Sequence, residues 1–374
     1  MGGRDANARA QAGEHIDPFV GDDEVPPEMP AIPGGGEDVA RKDRLDAGKL
    51  GALTGPAFDR MRARRDGSEL PVPVPWEKTA AELHGGLWPG CWILVGGTGV
   101  GKSQWTFELA YHAAVKKNVP VVYVGLELDE AGLVARLAAL GIHGKICNDA
   151  GERQKVAWSK LYLGDPTALE WFSGRAGAEV LDAMNAAPFY LVTGEARSDS
   201  QAWGYREIGT LAANLRQKHP TGPALLVVDF LQLVGGDPLQ KNREDLRERI
   251  GNAAYEARMA ARKYGMSVLL LSATARNYYP LFAGTDEKGK GSELGKGDPA
   301  RFLGTGKESG EVEYSADGVL ALCRPPWVQG EPPPPVWLAV AKSRTGRVDG
   351  WVSYGFDGTA FTEPRGGNST VRLR

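Results

Sequence analysis

Cysteine and histidine are scarce in this chain. The three cysteines, Cys91, Cys147 and Cys323, lie far apart, and two of them begin or end apolar runs. That pattern argues against a disulfide framework or a thiolate metal site and fits reduced core residues. His15, His84, His112, His143 and His219 show no metal-ligand spacing. No apolar run is long enough to span a bilayer, and residues 1–40 lack the apolar core of a signal peptide, so a cytoplasmic chain without a membrane partner is expected. An excess of one charge is also missing: the net charge is −3, and any contact with nucleic acid has to be local. Aromatic residues are sparse in residues 1–70, a stretch rich in Gly, Pro, Ala and charge. It reads as a disordered linker with a short helix around 39–53. Its basic cluster, Arg60, Arg62, Arg64 and Arg65, reads as a solvated linker, with nucleic-acid contact as the alternative.

What the chain does have is a phosphate-binding loop. Residues 96–103 read Gly-Gly-Thr-Gly-Val-Gly-Lys-Ser, with Gly96, Gly101, Lys102 and Ser103 at the required places. Gly97, Gly99 and Gly101 let the backbone curl so that its N–H groups face phosphate oxygens, and Thr98 and Val100 complete the cradle. Lys102 would reach the β- and γ-phosphates, and Ser103 would offer its hydroxyl to Mg²⁺. The preceding run, Cys-Trp-Ile-Leu-Val at 91–95, reads as a buried strand, and residues 102–117 read as a helix. A dinucleotide fingerprint starting at Gly97 would need glycine where Lys102 stands, so that reading fails.

The 374 residues suffice for one large α/β domain, placed at 71–364, with a flexible tail at 365–374. Further strands are read at 120–125, 188–192, 224–229, 267–272, 318–323, 336–341 and 351–356. Helices are read at 132–140, 205–218 and 239–264, and Pro332 to Pro335 suits a hairpin connection. The pattern predicts a twisted, mostly parallel sheet flanked by helices, with late antiparallel strands. Two acids end apolar strands, where open α/β sheets bind ligands. Glu127, after 120–125, is placed to polarise an attacking water. Asp229, after Ala-Leu-Leu-Val-Val, reads as the Mg²⁺ acid acting through water. Trp158, Trp171 and Phe172 read as packing residues. The Gly-rich stretch 281–310 reads as a long loop that orders on its ligand.

In their order, these segments resemble the ATPase domain of DnaB-type hexameric replicative helicases, within the RecA-like superfamily. The resemblance rests on Gly85-Gly-Leu-Trp-Pro-Gly, the 96–103 loop, Leu126-Glu127-Leu128, and Val228-Asp229-Phe-Leu-Gln-Leu233. It also rests on Lys307-Glu308-Ser-Gly310 followed by Ala316-Asp317, and on Lys342-Ser-Arg344-Thr-Gly346. It implies an ATP- and Mg²⁺-dependent enzyme in which Glu127 activates water and Lys342 and Arg344 act on a neighbouring subunit's nucleotide. It further implies a homo-oligomeric ring, taken as a hexamer, and single-stranded DNA held by a loop containing Lys307, Glu308 and Gly310.

Two departures stand out. Ala273 occupies a position where the family commonly has glutamine, and residues 1–70 do not read as the family's helical N-terminal domain. The chain is more similar to the short RepA-like helicases of plasmids and to phage-type ATPases, with residues 1–70 left as a contact for other replication proteins. A DNA-translocating helicase is the expected function. The alternatives are an ATP-dependent single-stranded-DNA-binding, loading or recombinase-like protein, and a regulatory ATPase acting on a protein partner.

Overall fold

The computed structural model describes residues 48–145, 150–194, 203–236, 244–285, 294–307, 313, 316–328, 330–345 and 350–364. The first element, α1 (Leu50–Arg65), buries none of its residues and carries Pro56 inside it. It lies within the stretch read as a linker and overlaps the expected 39–53 helix from Leu50; residues 39–47 of that expectation lie outside the described residues. The Pro-rich segment that follows is part of the fold: β1 (Val72–Pro73) pairs antiparallel with β2 (Gly86–Leu87), and Val72, Val74 and Trp76 are buried.

Nine strands form the central sheet: β3 (Gly90–Gly96), β4 (Val121–Gly125), β5 (Phe189–Thr193), β6 (Leu225–Asp229), β7 (Ser267–Ala273), β8 (Gly318–Cys323), β9 (Val336–Ser343), β10 (Trp351–Phe356) and β11 (Phe361–Thr362). Their order is β11-β10-β9-β8-β3-β7-β6-β4-β5. From β8 to β5 neighbouring strands run parallel; β9, β10 and β11 add to the β8 side as antiparallel strands.

The unbroken apolar strands follow from this burial. β3 lies between parallel β7 and β8, which pair both its edges, and helices cover both its faces. Side chains alternate between two cores. Cys91, Ile93 and Val95 join one core, with Ile208 and Leu215 of α4 (Arg206–Lys218) and Ile250 and Ala257 of α5 (Leu246–Tyr264). Trp92 and Leu94 join the other, with Trp105 and Leu109 of α2 (Lys102–Tyr111) and Leu133 and Leu137 of α3 (Glu130–His143).

Several boundaries differ from the sequence reading. The helix after the phosphate loop is α-helical only to Tyr111, and His112–Lys116 widens to a π turn before Asn118 adopts φ 53°. α5 starts at Leu246 rather than 239, because Asp245 caps it: its carboxylate accepts Glu248 N–H at 2.8 Å, and the Glu248 carboxylate accepts Asp245 N–H at 3.1 Å. Part of the stretch read as a loop at 281–310 is packed core. Phe302 is fully buried, edge-on to Phe282 and Trp351. Cys91 and Cys323 are buried free thiols, as expected; burial pushes the Cys91 thiol up to about 12. Among the described residues no helix is long and apolar enough to cross a membrane.

Candidate active site

Parallel strands place their carboxyl ends side by side, and four of those ends meet at one cavity. Register sets Gly96 opposite Ala273 and Gly125 opposite Asp229. Gly125, Asp229 and Ala273 line a cavity of about 550 Å³, together with Thr98, Gly99, Gly101, Lys102 and Ser103 from the loop. The size suits a small ligand such as a nucleotide.

Two loop glycines are required by geometry. Gly99 and Gly101 have φ 73° and 100°, in the left-handed region, and a Cβ on Gly101 would stand 2.8 Å from Phe361 Cζ. The loop then opens α2 at Lys102, directing the positive end of the helix dipole at the cavity. Lys102 Nζ donates to the carbonyls of Gly96 at 2.8 Å and Gly97 at 3.0 Å. Burial lowers its pKa to about 8, against the opposing pull of Asp229 and Glu127.

Asp229 is buried at the end of β6, and its Oδ2 accepts the Tyr123 hydroxyl at 2.7 Å. Ser103 also hydrogen-bonds this carboxylate. Burial raises the Asp229 pKa, and the Tyr123 and Ser103 hydrogen bonds oppose that rise. Glu127 lies just past β4, solvent-exposed, on the same cavity wall. A cation cradle, a buried hydroxyl–carboxylate pair and an accessible carboxylate thus converge within one cavity.

Four lining residues were not among the site residues expected from sequence. Arg136 of α3 enters the cavity with its guanidinium 4.2 Å from the Trp158 ring centroid, and its buried Nε has no hydrogen-bond partner. Trp158 is therefore a wall of the cavity rather than simple packing. Arg324, just past β8, also lines the cavity, 5.6 Å from the Phe356 ring centroid, and its Nε is likewise buried without a partner. Phe356 is held by stacking on Phe361 at 4.3 Å. Flanking arginines and aromatic neighbours could have been noticed in the sequence, but nothing there pairs them across the fold.

Lys342 and Arg344 are not at this cavity. β9 runs antiparallel to β8, with Ser343 opposite Gly318, and β8 runs parallel to β3. Both residues therefore sit at the edge where β3 begins, about 20 Å from its loop end at strand rise. There Arg344 Nη1 donates to Asp317 Oδ1 at 2.6 Å, and Lys342 Nζ donates to the Glu313 carbonyl at 3.3 Å. Lys307 is exposed and its N–H donates to the Ala273 carbonyl at 2.7 Å. Glu308 and Gly310 fall outside the described residues.

Comparison with known proteins gives one family. The model of the DnaB-like helicase C-terminal domain matches residues 80–362. The replicative DNA helicase DnaB of Leifsonia xyli is 25% identical over 295 residues, covering 78% of this chain and 55% of that protein. The DnaB helicase of Geobacillus stearothermophilus is 22% identical over 290 residues, covering 77% and 55%. The chain thus spans about half the length of the curated relatives it matches. Among solved structures, one ATPase domain superimposes with a TM-score of 0.60 at 17% identity, covering 83% of this chain and 98% of that one. A DnaB-like replicative helicase, described with its interactions with primase, superimposes at 0.58 and 16% identity, covering 86% and 69%. These structural likenesses establish the RecA-like α/β fold. With three quarters of its length matched by the family model, the chain belongs to the DnaB-like helicase C-terminal domain family.

Proposed function

We propose that this chain is an ATP-hydrolysing motor that assembles as a ring, a hexamer by analogy with its family, and translocates on single-stranded DNA. One observation carries the reading: Lys102, Ser103, Asp229 and Glu127 converge on one cavity, while Lys342 and Arg344 lie at the opposite sheet edge. A site that uses all six needs a second copy of the chain.

In this reading the loop and Lys102 hold the triphosphate, and the base lies at the Arg324–Phe356 wall. Glu127 takes a proton from water as its oxygen attacks the γ-phosphorus and the bond to the β-phosphate oxygen breaks. A hydroxyl beside a carboxylate is the hard-oxygen donor set that Mg²⁺ prefers, so Ser103 and, through water, Asp229 would hold that ion. The ion would supply charge neutralisation for the phosphates. Arg344 from a neighbour, planar and always charged, would stabilise the transferring phosphoryl group once the ring is closed. Lys307, Glu308 and Gly310 are proposed to contact DNA phosphate, and residues 1–70 other replication proteins, in the cytoplasm.

The test is the ATPase rate with and without single-stranded DNA, at low and physiological salt, for the chain and for Glu127→Gln. Stimulation by DNA that Glu127→Gln removes supports the motor. A rate indifferent to DNA refutes it. A second reading, ATP-controlled DNA binding or loading without unwinding, is favoured by Ala273, which offers no carboxamide to the cavity from the end of β7.

A further inference from the structure

Gln232 lies three residues past Asp229, on the 3₁₀ turn Leu231–Leu233, and its carboxamide joins the cavity wall to the chain segment that leads away from it. Nε2 donates to Ser272 Oγ at 2.9 Å and to the Lys307 carbonyl at 3.1 Å. Oε1 accepts the Ala273 N–H at 3.2 Å. Ala273 is the residue of β7 that lines the cavity. Its own carbonyl accepts the Lys307 N–H at 2.7 Å, and Ala275 N–H donates to the Thr305 carbonyl at 2.9 Å. Thr274, buried, adds a side-chain bond to the same Thr305 carbonyl at 2.8 Å and forms an antiparallel bridge with Gly306. The end of β7 and residues 305–307 are therefore one short ladder, and Gln232 spans its open end.

The far side of this ladder is fixed by a second residue. Glu313 is fully buried, and its carboxylate accepts the N–H groups of Gly304 and Gly306, each at 2.6 Å. Its carbonyl accepts Lys342 Nζ at the opposite sheet edge. A continuous set of hydrogen bonds thus runs from the nucleotide-facing Ala273 through 304–307 to Lys342. The carboxamide supplies both the donor for the Lys307 carbonyl and the acceptor for the Ala273 N–H; a carboxylate has no donor, and an alkyl chain has neither.

We propose that Gln232 is a positioning residue that carries nucleotide occupancy from the cavity to residues 304–307 and, through Glu313, to Lys342. It acts through the Ala273 peptide and the Lys307 carbonyl, without touching the nucleotide. The proposal rests on the nucleotide reading of the cavity given above. Residues 304–307 thereby acquire a defined role, moving with the end of β7 and taking the Lys342 edge with them.

The test is hydrogen–deuterium exchange on the full chain, with and without Mg²⁺ and adenylyl imidodiphosphate, in the unmodified protein, Gln232→Ala and Gln232→Glu. In the unmodified protein the nucleotide should slow exchange both at 96–103 and at 304–307. Both variants should keep the response at 96–103 and lose it at 304–307. Gln232→Glu keeps the side-chain volume and the acceptor for Ala273 N–H, so it decides the matter if the alanine variant is poorly folded. A retained response at 304–307 in a folded variant overturns the proposal, as does an unmodified protein that responds at 96–103 alone. An unmodified protein silent at 96–103 overturns the nucleotide reading first, and this proposal with it.

Discussion

Arg344 Nη1 donates to Asp317 Oδ1 at 2.6 Å, and the other Asp317 oxygen accepts the backbone N–H of Cys91 at 2.9 Å. The same Asp317 carbonyl accepts Arg344 N–H at 2.9 Å. Arg344 is thus oriented by the start of β3, the strand whose other end opens the phosphate loop. One rigid strand fixes the spacing between a chain's own loop and the arginine it would present to a neighbour.

That arrangement predicts complementation. Arg344→Ala should leave the subunit folded and slow hydrolysis by roughly 10³ or more, the scale of arginine fingers. Lys102→Ala should be inactive through loss of its own loop cation. Mixing the two inactive proteins should restore part of the turnover, because some interfaces then pair an intact loop with an intact arginine. Steady-state ATPase on the separate and mixed proteins checks this; undiminished turnover in Arg344→Ala alone would sink the shared site.

Lys102 predicts a pH dependence of nucleotide binding. Burial brings its pKa from 10.5 to about 8, and the charged ammonium is the form that binds phosphate. Affinity for ATP should stay level below about pH 8 and weaken above it, by up to about tenfold per pH unit, as the free protein loses the proton that the complex retains. The folding contribution has the opposite sense. Because the folded pKa lies below the unfolded one, Lys102 costs stability below about pH 8, and that cost is relieved as pH rises from there toward 10.5. Nucleotide titrations across this range check the first part. Denaturation of Lys102→Met beside the unmodified chain checks the second: any advantage of the neutral side chain should shrink with rising pH.

Much of this site was legible because it is local. The 96–103 loop carries its own spacing, and Glu127 and Asp229 follow apolar strands whose burial on both faces is written in their composition. The parallel register of β3, β4, β6 and β7 then brings them together without further information. What was not legible is contributed across long sequence separations. Arg324 and Phe356 meet the loop only because β8 lies parallel beside β3 and β9 and β10 then fold back, each antiparallel to the strand before it. Arg136 and Trp158 meet through helix packing, and Phe302 is drawn into the core by aromatic partners at 282 and 351. Gln232 belonged to a recognised segment, yet its bonds to residues 272, 273 and 307 depend on how strand ends align.

The Arg324–Phe356 wall predicts where base affinity resides. The guanidinium and ring are 5.6 Å apart, and Phe361 backs the ring. Base–aromatic stacking is worth about 1–3 kcal/mol, so Phe356→Ala should weaken ATP binding by about one order of magnitude, with a smaller loss for Arg324→Ala. Binding of inorganic triphosphate, which has no base, should be unchanged in both. Calorimetric titration with the two ligands separates the cases, and an equal loss for both ligands would place the wall elsewhere in the mechanism.

The last prediction concerns the hydroxyl that holds Asp229. Burial raises the Asp229 pKa, and the Tyr123 hydrogen bond is the foremost of the groups that oppose the rise. Tyr123 is itself fully buried between Phe107, stacked at 4.2 Å, and Phe189 at 6.5 Å, so Tyr123→Phe keeps the ring packing and removes only the donor. The Asp229 carboxyl then becomes harder to ionise. Turnover, which in this reading needs the ionised form, should lose activity at a higher pH on its acidic side, with the alkaline side unchanged. The stability consequence has a definite sign. A buried carboxyl whose folded pKa lies above its unfolded value costs stability once pH exceeds the unfolded pKa, the cost reaching its full size above the folded one, and deleting a hydrogen bond to the ionised form adds to that cost. Tyr123→Phe should therefore be more destabilising at neutral pH than under acid conditions where Asp229 is protonated in both proteins. Chemical denaturation at the two pH values measures the difference directly. A loss of stability that is equal at both would mean that Tyr123 serves packing alone and leaves the ionisation of Asp229 untouched.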